Sequence, residues 1–77
     1  MTLRHLKIFC TVAKTGSITA AAEQLYISQP SVSVAIRELE NYYGIRLFDR
    51  LSRRIYITDD GRRMLAYASH IVELVDE

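Results

Sequence analysis

The residues of this chain best suited to chemistry are arginines, small hydroxyls and one amide, and their spacing points to binding rather than to bond making. Arg46, Arg50, Arg53, Arg54, Arg62 and Arg63 fall within positions 46–63, opposed there by Asp49, Asp59 and Asp60. A guanidinium is a planar fork of donors that fits phosphate oxygens and guanine edges, so a local arginine cluster is a sharper sign than scattered lysines. Upstream, Ser28-Gln29-Pro30-Ser31 and Ser33 place short hydroxyls and an amide where a helix can begin. Short side chains let a backbone approach another surface closely, and a glutamine amide can pair with adenine through two hydrogen bonds. Taken alone, the arginines fit a solvated charged face equally well, so the elements that carry them have to decide.

Catalysis finds no comparable set. Ser17, Ser28, Ser31, Ser33, Ser52 and Ser69 are present, but neither His5 nor His70 stands at a recognisable spacing from a serine and an acid. Cys10 is the one cysteine, which excludes an internal disulfide framework, and with two histidines it cannot build a zinc cluster. The expectation is a chain that is not an enzyme and holds no metal or cofactor. Its lone thiol fits a reducing compartment. No apolar run approaches the roughly 20 residues of a membrane helix or forms a secretory leader, so a soluble cytoplasmic protein is expected. The net charge of +1 conceals an uneven distribution, because Glu73, Asp76 and Glu77 make the tail acidic while the preceding stretch is basic.

The elements that must position these groups can be read from periodicity. Leu3, Leu6, Phe9, Cys10 and Ala13 recur at helical steps, which predicts a first helix over 2–14, ended by Thr15-Gly16. Cys10 sits within that stripe and reads as a small buried hydrophobe rather than a reactive thiol. Ser17 can cap a short second helix whose Ala20, Ala21 and Ala22 permit close packing. Ser28 or Gln29 can cap a third, over about 30–43, with Pro30 in its first turn, where a missing N–H matters little. Val32, Ile36, Leu39 and Tyr43 should face inward there, leaving Pro30, Ser33, Val34 and Arg37 outward. Leu47–Arg50 and Ile55–Thr58 read as strands joined by Leu51-Ser52-Arg53-Arg54, a hairpin with arginines at its tip. From Thr58, a last helix carries Met64, Leu65, Ala68, Ile71, Val72 and Val75, widened by Tyr67 and Leu74. That stripe exceeds what three short helices are expected to cover, and it is read as a dimer interface, the alternative being a helix that folds back on the chain's own core. Tyr42 and Tyr43 read as core or interface packing, and His5 as solvated or groove-facing.

This order predicts a mainly α fold: a winged helix-turn-helix with a three-helix core and a two-stranded β wing, plus a C-terminal linker helix for dimerisation. A third helix with short hydroxyls at its amino-terminal end fits the major groove, which is about 12 Å wide. A winged helix serving as a protein adaptor would more readily present aromatic residues and leucine on that outer face than Ser33 and Arg37.

Leu3-Arg4-His5-Leu6-Lys7-Ile8-Phe9, Gly16-Ser17, Ala20-Ala21-Ala22-Glu23-Gln24-Leu25, Ile27-Ser28-Gln29-Pro30-Ser31-Val32-Ser33 and Ile36-Arg37-Glu38-Leu39-Glu40 together resemble the LysR-type transcriptional regulators. The likeness continues through Gly44, Leu47-Phe48, Arg50, Arg53-Arg54, Thr58 and Gly61 and spans nearly the whole chain. The resemblance implies an operator-recognition module of a bacterial regulator, with a winged helix-turn-helix over 1–58 and a linker helix over 59–77. It implies a larger effector-binding domain absent from this chain, the only part for which a small-molecule effector is expected. It places Gln29, Pro30, Ser33 and Val34 on bases, and Ser28, Ser31, Arg37, Arg53 and Arg54 on phosphates or bases. The wing lies on the backbone or in the minor groove. The implied partners are double-stranded DNA carrying an interrupted inverted repeat and a second copy of the chain, with RNA polymerase a further partner open to the full-length protein. Two positions depart from the pattern. Where many members have arginine, Val34 can offer only a methyl contact, and Asp60 replaces a common alanine and is expected to serve the helix dipole.

Overall fold

The computed structural model describes residues 1–76. The chain runs α1 (Leu3–Thr15), α2 (Ile18–Leu25), α3 (Gln29–Tyr43), β1 (Phe48–Leu51), β2 (Arg54–Ile57) and α4 (Asp59–Asp76). Glu77, the last residue of the expected linker helix and acidic tail, lies outside the described residues.

Each helix begins and ends on local chemistry. Thr2 caps α1 through a reciprocal box in which Thr2 Oγ1 accepts from the His5 N–H and the His5 ring accepts from the Thr2 N–H. Ser17 Oγ accepts from Ala20 N–H at the start of α2, and Ser28 Oγ from Ser31 N–H at the start of α3, which settles the cap on Ser28. Gly16 and Gly44 close α1 and α3 in the left-handed conformation, where a side chain would be strained.

Phe9, Val12, Val32, Leu39 and Leu47 are the large side chains that lie fully inside, and burying each contributes roughly 1.5–3 kcal/mol. The expected stripe of α1 is too narrow, because Ile8 and Val12 are also buried. This helix packs against α2, α3 and α4 and so loses its solvent face nearly all round. On α3 the inward set is Val32, Ala35, Ile36 and Leu39, whereas Tyr43, expected inside, stays half exposed. Gly44 turns the chain immediately after it, and its ring meets Tyr42 edge to face with centroids 4.9 Å apart.

The hairpin pairs Phe48 with Ile57 and Leu51 with Arg54 in antiparallel register. Its strands are offset from the expected 47–50 and 55–58, because the turn needs only Ser52 and Arg53. Both residues are left-handed, at φ 48 and 68, the geometry whose twist matches a two-residue hairpin. Arg54 therefore belongs to a strand and not to the tip. Phe48 brings the wing to the core by meeting the Phe9 ring edge to face at 5.6 Å.

The apolar stripe of the linker helix divides in two. Along α1, α4 buries Ala68 and packs Met64, Leu65 and Val72, each half-buried, against the chain's own core. Cys10 and Ala13 on α1 are small enough to let α4 approach. Ile71 and Val75 from the expected interface remain exposed, beside exposed Tyr67 and Leu74. No helix among the described residues is long and apolar enough to cross a membrane.

Candidate nucleic-acid interface

The outer face of α3 is built by its own amino-terminal turn. Ser28 and Ser31 bring their hydroxyls 2.8 Å apart while Ser28 caps the helix, so both are oriented and still hold spare hydrogen-bonding capacity. Gln29, Pro30 and Arg37 are exposed, Ser33 is half-buried and Val34 is 45% exposed. Residues 29, 33 and 37 form one row of the helix and 30 and 34 the next, so the expected base-facing residues share one surface. Amide, hydroxyl and guanidinium stand ready there without a partner among the described residues to release.

Ion pairing divides the arginine cluster. Arg46 bonds Asp49 at 3.3 Å, Arg62 pairs with Asp59 and Arg63 with Asp60, each three residues apart. Asp60, placed for the dipole, thus also holds a cation on the surface of α4. Arg37, Arg50, Arg53 and Arg54 have no carboxylate partner among the described residues. The last three line a cleft of about 530 Å³ between the wing and the start of α2, where Gly16, Ser17 and Thr19 form the opposite wall. The helix amino terminus and three unpaired guanidiniums make this cleft electropositive. A smaller notch of about 180 Å³ connects Ser33 and Arg37 on α3 to Arg46 and Arg50 at the wing's base.

What fixes the wing against α3 involves residues outside the expected set. Glu40 Oε2 accepts from the Leu47 N–H at 2.8 Å, tying the strand's approach to the helix. Leu47 O accepts from the Thr58 N–H at 3.0 Å, and Thr58 Oγ1 accepts from the Gly61 N–H at 2.9 Å. At Gly61 a Cβ would stand 2.4 Å from Leu47 O, so only glycine allows this approach. Glu40 lies one turn beyond Ile36, on the inward side of α3, and a carboxylate on a core face was the available signal.

His5, read as solvated or groove-facing, is half-buried and engaged by Thr2 and Glu38. Its Nδ1 lies 3.2 Å from the Thr2 N–H and 2.7 Å from Thr2 Oγ1, and its Nε2 meets Glu38 Oε1 at 3.3 Å. One ring thereby caps α1 and fastens it to α3. On the far side of the molecule, burial against α4 pushes the Cys10 thiol above its ordinary range and nearby Glu73 adds to the rise, while the contact with Ser69 at 4.0 Å opposes it. Cys10, read as a small buried hydrophobe, is half-buried and packs at the edge of the core.

Helix, turn, helix and a basic two-stranded wing beside an outward-facing third helix define a winged helix-turn-helix protein of the DNA-binding kind. The family model described as bacterial regulatory helix-turn-helix protein, lysR family, matches residues 3–62, and the chain belongs to that family. It is 43% identical over 72 residues to the HTH-type transcriptional regulator CfxR of Cupriavidus necator, covering 94% of this chain and 23% of that protein. It is 40% identical over 77 residues to the RuBisCO operon transcriptional regulator of Allochromatium vinosum, covering 100% of this chain and 26% of that protein. Among solved structures, the complex of the CbnR DNA-binding domain with DNA superposes with a TM-score of 0.93 at 38% identity, covering 99% of this chain and 87% of that one. The BenM DNA-binding domain on catB site 1 DNA gives 0.94 at 41%, covering 99% and 85%. The chain spans about a quarter of the length of CfxR and of the RuBisCO operon regulator.

Proposed function

We propose that this chain is the operator-recognition module of a bacterial LysR-type regulator and binds double-stranded DNA sequence-specifically. The observation that carries this reading is the union of an outward α3 face, bearing Gln29, Ser33 and Arg37, with an adjoining cleft walled by the unpaired Arg50, Arg53 and Arg54. In this reading α3 enters the major groove, and Gln29, Pro30, Ser33 and Val34 meet bases. Ser28, Ser31 and Arg37 hold phosphates or bases, while Arg53 and Arg54 grip the backbone or the minor groove on the wing side. Phosphate contacts supply salt-sensitive affinity and base contacts supply discrimination.

A second copy of the chain joins through α4, where exposed Tyr67, Ile71, Leu74 and Val75 adjoin half-buried Met64, Leu65 and Val72. Two copies carry two recognition helices to successive grooves, so the site is an interrupted inverted repeat. A small-molecule effector bound by a further domain, a contact with RNA polymerase and a place in the bacterial cytoplasm belong to the larger regulator in this account. The reading assigns no catalysis to the chain. Enrichment of duplexes from a random pool tests it. Convergence on an interrupted inverted repeat is expected, and a pool that stays random after repeated rounds would overturn the assignment.

A further inference from the structure

Val34 is the aliphatic side chain that the amino-terminal half of α3 turns outward, 45% exposed and one turn beyond exposed Pro30. The neighbouring row of Gln29, Ser33 and Arg37 is polar along its length. The row of Pro30 and Val34 offers no donor and no acceptor from its side chains, and it ends at Glu38, whose carboxylate is held by His5. Facing a groove, such a row gains free energy only by covering an apolar atom, because against a base nitrogen or oxygen it would strip water and return nothing. The wall of the major groove presents one apolar group, the 5-methyl of a pyrimidine.

We infer that the Pro30–Val34 row reads pyrimidine 5-methyl groups, so the chain distinguishes not only thymine from uracil but also 5-methylcytosine from cytosine at one step of each half-site. This rests on the docking of α3 proposed above and adds a form of regulation to it. Where that step holds cytosine, methylation of the base strengthens binding with no change of sequence.

The test uses the 77-residue chain and duplexes that it enriches from a random pool. Each thymine of one half-site is replaced singly by deoxyuridine. The most sensitive T·A pair is then replaced by C·G, with and without the 5-methyl. Covering one methyl corresponds to about fourfold in Kd, from roughly 0.8 kcal/mol per buried CH₂. Loss of about fourfold is expected for uracil at one thymine of the half-site, with a similar gain for 5-methylcytosine over cytosine there. Val34→Ala, an exposed change that keeps the helix, should erase both differences. Equal binding of thymine and uracil at every position overturns the inference and leaves the docking of α3 standing, as does a full thymine preference retained by Val34→Ala. Failure to enrich any duplex overturns both.

Discussion

Replacing Gly61 with alanine strikes the point where the wing is anchored, and the structure fixes both the sign and the size of the effect. The added Cβ would stand 2.4 Å from Leu47 O and 2.8 Å from Ile57 Cγ1. The first neighbour is backbone and cannot yield like the end of a flexible side chain. It is also the acceptor for the Thr58 N–H at 3.0 Å, so any retreat weakens the link between wing and α4. Overpacking of this kind costs roughly 1–3 kcal/mol, and a weakened backbone hydrogen bond about 1 more. Alanine's better helix propensity returns about 1 kcal/mol, leaving a net loss of about 1–3. In a domain this small that is a large part of the total stability. Urea unfolding followed by circular dichroism should show a lower midpoint with an unchanged slope. A midpoint equal to or above that of the parent would refute the crowding argument, because propensity alone predicts a rise.

Other expectations follow from single observations. Tyr26 is left-handed at φ 57 and 95% exposed, so Tyr26→Asn should raise stability by about 0.5–1 kcal/mol in urea unfolding; a loss would show that its ring contributes packing after all. Ile71→Asp with Leu74→Asp should give a folded monomer by sedimentation, whereas Ala68→Asp should unfold the chain; a dimer surviving the double change would move the interface off this face. Because burial raises the Cys10 pKa, less thiolate forms at a given pH, and alkylation by iodoacetamide should be slower in the folded chain than in urea. The same shift favours folding below the ordinary thiol range, and that contribution should fade as pH climbs through the raised value. Equal alkylation rates in folded and unfolded chain would remove the burial argument.

The close of α1, the start of α2 and both ends of α3 were legible because their signals are local. Thr15-Gly16, Ser17, Ser28-Gln29-Pro30 and Gly44 act within a turn of where they stand, whatever the rest of the chain does. That residues 29, 30, 33, 34 and 37 share one outward face was legible for the same reason, since they lie on one helix. Placement of the linker stripe was not. Periodicity reports that a face is apolar but not which neighbour covers it, so Met64, Leu65, Ala68 and Val72 looked like Ile71 and Val75 until α4 was seen lying along α1. The tie from His5 to Glu38 joins residues 33 apart, and nothing in the spacing announces it. The wing turn was misplaced because Ser52-Arg53 lacks the glycine or asparagine that usually marks two left-handed residues. In contrast, the pairs that occupy Arg62 and Arg63 follow from three-residue spacing and could have been read beforehand.

Recognition of a particular DNA sequence by α3, with the wing supplying general affinity, is tested most directly by fluorescence-anisotropy titration. The chain, Gln29→Ala and Arg53→Ala are each titrated against an enriched inverted-repeat duplex and a scrambled one at two salt concentrations. The parent should prefer the repeat at both. Gln29→Ala should lose about 1–3 kcal/mol of that preference, and Arg53→Ala should weaken both duplexes alike and lower the salt slope by about one. Equal affinity of the parent for the two duplexes, or a preference untouched by Gln29→Ala, would contradict this division of labour.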